Sequence, residues 1–257
     1  MSAVRSVVGG VGELLVTAGV LVLLFLAWQL WWTDVVADRA QDRTTEALLE
    51  QWDAGADLAG EDPDAPLEQT GEQPGDQPGD QPQEQAEEQV EVLQALPAEA
   101  IAVMRVPAFG PDWVRPVLEG TGTAVLQQGV GHYSDAAPPG EVGNFAVAGH
   151  RTTYGAPFNP IADLAVGDAV VVETATQFHV YRVTGTEVVR PQDVGVIAPV
   201  PDLPGEAPTQ AFLTMTSCHP MYSARQRFVV HALLEGSTPR EDGPPAVLAA
   251  AAAGGTG

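Results

Sequence analysis

Hydrophobic and polar positions divide the chain into four stretches. From Leu14 to Trp32, nineteen residues, "LLVTAGVLVLLFLAWQLWW", run without a charge. That length suffices to cross a bilayer core as a helix. The run ends in Trp31 and Trp32 with no Ala-x-Ala cleavage pattern after it, so residues 1–33 are expected to form a retained signal anchor rather than a removed leader. The tryptophans suit the outer headgroup zone, and Arg5 with the amino terminus places the N-terminus in the cytoplasm; Arg39 and Arg43 beyond the span pull the other way. Glu13 sits at the inner edge, where a carboxylate is tolerated better than at the centre. The second stretch, 34–99, reads as an extracytoplasmic linker. It opens with a short polar helix over Asp34–Trp52, and from Asp53 to Val92 it carries 13 acidic residues and no basic one. Gly-[Asp/Glu]-Gln-Pro recurs at Gly71, Gly75 and Gly79, a period of four that builds neither a helical nor a strand stripe. Random-coil scaling gives the acidic part a reach of about 35 Å, enough to hold a domain off a membrane surface.

The third stretch, 100–239, changes to short alternating or β-branched runs: "AIAVMRV", "TAVLQQGV", "NFAVAGH", "AVVVETAT", "FHVYRVTGTEVV", "AFLTMTSC" and "RFVVHALLEG". Turn signals such as "AAPPGEVG" and "DLAVGD" separate them, which predicts an all-β barrel or sandwich. Its length is normal for one domain with a real core. Helical signals are confined to "PDWVRPVLEG" and "PFNPIADL". The fourth stretch, 240–257, ends "AVLAAAAAGG" and beyond, too short to span a membrane; it reads as a disordered or frayed, dispensable tail.

Composition narrows the function. With 34 Asp and Glu against 11 basic residues, all of them Arg, the net charge is −23. Phosphate repulsion then argues against a nucleic-acid partner. No Cys/His spacing suits zinc, and the Gly-rich pieces "GVGELL" and "GTGTAV" lack nucleotide-binding context, so neither cofactor nor metal is expected. A single cysteine, Cys218, lies in "LTMTSCHP". Outside the cell it has no internal disulfide partner, and a leftover thiol there points to reactivity, although many lone cysteines are inert core residues.

Strand parity places the candidate chemistry. Leu213 and Met215 share one face and Thr214, Thr216 and Cys218 the other, so with the apolar pair inward the thiol faces a groove. In the next strand Phe228, Val230 and Ala232 point one way and Arg227, Val229 and His231 the other. The eight-residue connector from His219 to Gln226 makes the two strands neighbours, with Cys218 ending one and Arg227 starting the next at the same end. A nucleophilic thiolate needs a cation or a base nearby. Of five histidines, His219 follows Cys218 and points to the opposite face, His179 and His231 lie inside strands, and His132 is the fourth. His150 is the preferred base, because it closes "NFAVAGH" just after Gly149, on a face otherwise made of Ala146 and Ala148.

Three segments, "EVGNFAVAGHRTTYGAPF", "TMTSCHP" and "SARQRFVVHA", together resemble the sortases of Gram-positive bacteria, most closely class E of high-GC actinobacteria. The family pattern T-L-x-T-C with Arg nine residues after Cys is matched in spacing; Met215 stands for the usual Leu and Ser217 for the usual Thr. The resemblance implies a closed eight-stranded β-barrel with one or two short helices. It implies cleavage of an LAXTG-like sorting signal between Thr and Gly on secreted proteins, with Cys218 attacking the Thr carbonyl. His150 is then acid and base, and Arg227 stabilises the oxyanion. An amine of a lipid II-type wall precursor resolves the thioacyl-enzyme; water in its place makes the enzyme a hydrolase. Arg225, of the same parity, is the competing cation. Tyr133 in "GVGHYSD" resembles a class E tyrosine near the groove, implying a part in accepting Ala rather than Pro, and Thr152, Thr216 and Ser217 are candidate groove hydroxyls.

Other readings stay open on sequence. One is a pilin-polymerising sortase, since "PDWVRP" faintly resembles a class C lid although Pro111, Asp112 and Trp113 stand in a different order. Another is a membrane-tethered barrel that binds a peptide or wall component with an inert Cys218. An L,D-transpeptidase fits poorly, because His follows Cys here and Arg is nine residues on.

Overall fold

The computed structural model describes residues 2–59 and 99–254. The acidic repeats of the expected linker, within 60–98, lie outside the described residues. Helix α1 (Ser2–Ala59) precedes eight strands: β1 (Ala100–Arg105), β2 (Val114–Glu119), β3 (Val130–His132), β4 (Gly143–Ala148), β5 (Ala169–Glu173), β6 (Gln177–Val189), β7 (Ala211–His219) and β8 (Gln226–Pro239). They close into one barrel in the order β1-β2-β3-β4-β7-β8-β6-β5, with β5 pairing β1. Most neighbours are antiparallel; β2 with β3 and β4 with β7 are parallel.

Alternation drives the closure. Leu213 and Met215 of β7 and Val230 and Ala232 of β8 point into the interior, with Phe145, Val147, Phe158, Tyr181 and Met104 filling the same core. Burying each such side chain contributes about 1.5–3 kcal/mol. The Tyr181 hydroxyl accepts a hydrogen bond from the Gly140 amide at 2.7 Å, and burial pushes its pKa up to about 12. The outer face of β7 is covered in turn: Thr214 is buried and its hydroxyl donates to the carbonyl of Val196, in the connection between β6 and β7.

Two segments depart from the sequence reading. "VRPVLE", within the expected helical stretch "PDWVRPVLEG", forms β2, pairing with β1 on one side and β3 on the other. "TAVLQQGV" was expected to be one strand; it begins as a short helix, α2 (Thr123–Leu126), and only its last residue, Val130, opens β3. For β2, ladder pairing with the strands on both sides overrides the local signal. The tail is ordered into helix α3 (Ala246–Gly254), preceded by a 3₁₀ turn over Arg240–Asp242. Arg240 anchors that turn, donating to Glu173 at 2.8 Å and to Asp53 at 2.7 Å.

The expected apolar span and the first part of the expected linker form one continuous helix, α1. The side chains of residues 26–27 and 29–31 within the span lie outside the described residues, and among the described residues no helix is long and apolar enough to cross a membrane. The second half of α1 is not a spacer: Gln41, Thr45 and Leu48 are buried against the barrel. Asp38 and Asp42 pair with Arg115, and Arg240 stacks over Trp52. Acidic residues that would repel one another in a free linker instead meet arginines at helical spacing.

Burial also sets a pH dependence. His179, buried and hydrogen-bonded through Nδ1 to Ser237 at 2.8 Å, is held below the ordinary imidazole range by desolvation. A depressed native pKa means that the unfolded chain takes up the proton first, so this contribution is complete above about pH 6.5 and is lost as pH falls through the native value. His179→Gln is therefore expected to lose less stability than wild type between about pH 7.5 and 5.5. Urea titrations at both pH values check this, and equal losses in the two proteins would contradict it.

Candidate active site

Strand β7 lies between β4 and β8, and the two registers determine what flanks its end. Against β4, Ala146 pairs with Thr214 and Ala148 with Thr216. The ladder runs one step further: the Gly149 amide donates to the Thr216 carbonyl at 3.1 Å, and the Ser217 hydroxyl donates to the Gly149 carbonyl at 2.8 Å. His150 is the next residue after Gly149, as Cys218 is the next after Ser217. Against β8, Cys218 pairs with Arg227 and His219 with Gln226. The thiol thus stands at one rim of the barrel with the imidazole-bearing segment on one side and the guanidinium-bearing residue on the other. Cys218 is half-buried and free.

Each group has identifiable supports. Gly149 is required by close packing, because a Cβ there would lie 2.7 Å from Cδ2 of the buried Phe158. The Phe158 amide donates to the His150 carbonyl at 3.0 Å, closing the loop after β4. The His150 ring is 5.1 Å from that of Tyr154, and its Nε2 is buried without a partner among the described residues. Burial holds His150 below the ordinary imidazole range, so at neutral pH the ring is largely uncharged. Arg227 Nη1 donates to the carbonyls of Ala224 and Gln226, both at 3.0 Å, which fixes the side chain on its own hairpin. Arg225 is exposed and bonds Ser223 instead.

A second cation at the rim escaped the sequence reading. Arg151 is buried; its Nε donates to the Asn159 carbonyl at 2.9 Å and its Nη1 to the Cys218 carbonyl at 3.3 Å, over the face of Phe228. It ties the loop after β4 to the end of β7. The only sequence signal was its position next to His150.

Of the candidate groove hydroxyls, two face inward to the strand junction. Thr216 and Ser217 are buried and donate to the carbonyls of Val147 and Gly149. Tyr133 joins this group, its hydroxyl 3.3 Å from Thr216 Oγ1 and, since the Thr216 proton goes to Val147, donating to it. Thr152 is half-buried in the loop after His150. The remaining histidines lie away from the thiol's flanks or are otherwise engaged. His132 contacts Glu119 at 2.9 Å and the Ala137 carbonyl, while the ring of His219 packs beside Phe228. His231, Glu187 and Asp202 place ligand-type atoms within 4.8 Å of one another. Within that grouping His231 bonds Thr214 and Glu187 at 3.0 Å each, with the Asp202 carboxylate 3.8 Å away.

Residues 104–235 match the family described as sortase domain. The chain belongs to the sortase family. Similar sortases include SrtE1 of Streptomyces coelicolor, 32% identical over 93% of this chain, and SrtE2 of the same species, 34% identical over 85%. The chain spans 60% of the length of the first and 78% of the second. Among solved structures, sortase E from Streptomyces avermitilis is 45% identical, covering 58% of this chain and 97% of its own, with a TM-score of 0.53. Sortase E1 from Streptomyces coelicolor, solved with a tripeptide in the active site, is 34% identical, covering 59% and 98%, with a TM-score of 0.55. These relatives support class E within the sortases, and the shared region is the barrel carrying Cys218.

Proposed function

We propose that this sortase is a cysteine transpeptidase that cleaves an LAXTG-like sorting signal between Thr and Gly and transfers the secreted protein to a wall-precursor amine. The observation that carries the reading is the pairing of Cys218 with Arg227, on a strand whose other neighbour, β4, leads through Gly149 into His150. The neutral His150 imidazole takes the proton of the Cys218 thiol; the thiolate attacks the Thr carbonyl carbon, and the carbonyl electrons move to oxygen, where the Arg227 guanidinium opposes the developing charge. The C–N bond to Gly then breaks and the imidazolium of His150 gives its proton to the departing amine. An acceptor amine of a lipid II-type precursor, such as that of diaminopimelate, attacks the thioester; His150 takes its proton and Cys218 leaves as thiolate.

Anchoring belongs to the same proposal. The apolar side chains of α1 from Leu14 to Phe25 that are described stand exposed, uncovered by the rest of the chain, as a membrane-spanning helix requires. The N-terminus would be cytoplasmic and the barrel outside. Gln41, where α1 meets the barrel, lies nine residues past Trp32, about 14 Å along the helix axis. The catalytic rim would sit close to the membrane that holds its substrates, which raises their effective concentration.

The test is incubation of the full chain with an LAXTG peptide, followed by mass spectrometry. The expected product is an adduct on Cys218 that carries the peptide through Thr and is released by hydroxylamine. No adduct, or an adduct on another residue, overturns the reading in favour of a peptide-binding barrel. A preference for LPXTG would overturn the LAXTG assignment alone.

A further inference from the structure

We propose that Gln41 of α1 is a positioning residue for His150, acting through the loop that follows it. The contact joins two parts of the chain that the sequence separates by more than a hundred residues. Gln41 is fully buried, and its Nε2 donates to the carbonyl of Tyr154 at 2.9 Å. Tyr154 is the residue whose ring packs 5.1 Å from that of His150. A bond from α1 to the Tyr154 backbone therefore acts one residue contact away from the proposed acid and base.

Two further observations favour a positioning role over simple packing. The first is the chemistry of Gln41 itself. Its Oε1 is buried with no partner among the described residues. A half-satisfied buried amide is costly where an apolar side chain could fill the space, so its retention points to the donor half. The second is the state of the loop. Tyr154, Gly155 and Ala156 have φ of 54°, 71° and 41°, three consecutive left-handed residues of which two carry a Cβ. L-residues other than glycine adopt this conformation only where the surroundings impose it. Within the loop the Ala156 amide bonds the Thr153 carbonyl and the Asn159 amide bonds the Ala156 carbonyl, while the Tyr154 carbonyl is bonded from α1. From outside the loop α1 approaches so closely that a Cβ on Gly155 would lie 3.1 Å from Gln41 Nε2 and 3.4 Å from the Asp38 amide. Asp38 and Asp42 hold that part of the helix in place through Arg115 of β2.

The same helix that would span the membrane thus holds the His150 loop in its strained form. Undocking α1 would leave the barrel folded but let the loop relax, with the Tyr154 ring and the imidazole moving together.

The test uses the full chain in detergent, comparing wild type with Gln41→Ala and Gln41→Glu. The second keeps the shape of the side chain and removes the N–H donor. Hydrogen exchange across residues 150–158 is expected to accelerate in both, while exchange in β6 to β8 stays at the wild-type rate and reports an intact barrel. With an LAXTG peptide, kcat is expected to fall about fivefold, the size of one lost neutral hydrogen bond, with KM unchanged. The kinetic arm rests on the transpeptidase reading; the exchange arm does not. Unchanged exchange across 150–158 in both variants overturns the proposal whether or not the wild type turns over. So does an unchanged kcat beside an active wild type.

Discussion

Cys218→Ala is expected to lose all transfer of an LAXTG peptide, a fall of at least about 10⁴-fold, because no other side chain at the rim can form the thioacyl bond. The chain has no second cysteine to substitute. The stability cost should be small. Cys218 lies at the end of β7, half-exposed, and outside the buried cluster that Leu213 and Met215 join. Removing sulfur there opens no interior cavity. Thermal unfolding that matches wild type, together with lost turnover and lost adduct, is the expected pair of results. Retained turnover in the Ala variant would end the transpeptidase reading.

Arg227→Met should reduce kcat by about 10²- to 10³-fold, the usual effect of removing an oxyanion donor, with little change in KM. Arg227→Lys should recover only part of the loss, since an ammonium group lacks the planar fork that can both hold the Ala224 and Gln226 carbonyls and face an oxyanion. Three arginines near the thiol make the comparison informative. Arg225→Met should behave like wild type, because its side chain is exposed and bonds only to nearby Ser223. Arg151→Met should lower the melting temperature as well as the rate, because Arg151 is buried and its loss leaves the Asn159 and Cys218 carbonyls without their donor. A variant series in which Arg151→Met alone removes turnover, at full stability, would transfer the oxyanion role from Arg227 to Arg151.

The relation between β7 and β8 was legible from local pattern. A period of two against one core leaves a single way to orient a strand, so Leu213 and Met215 on one side, and Phe228, Val230 and Ala232 on the next strand, placed Cys218 and Arg227 outward. A short connector then made them partners, and the register between them follows. His150 was chosen as base from Gly149 and two alanines, and the β4–β7 pairing brings the strand that leads into it against β7. That pairing is parallel and joins residues 68 apart in the sequence. Nothing in local spacing specifies such a contact.

Other features depended on partners that no window of sequence contains. "PDWVRPVLEG" read as helical, and strands on both sides made its "VRPVLE" into β2. The groove hydroxyls Thr216 and Ser217 had the right chemistry, but in the folded chain their protons go to carbonyls of the neighbouring strand. Arg151 carried no pattern beyond its place after His150, and its contact with Cys218 arises only once the loop folds back. The acidic start of the expected linker read as solvated because its arginine partners, Arg115 and Arg240, lie far along the chain. Amino-acid order by itself determined the alternation, hence an all-β domain, the outward thiol and its arginine neighbour, because burial of one strand face is a local constraint. Tertiary structure alone decided which loops and helices close over that rim, because ion pairs and buried hydrogen bonds act between residues that only folding brings together.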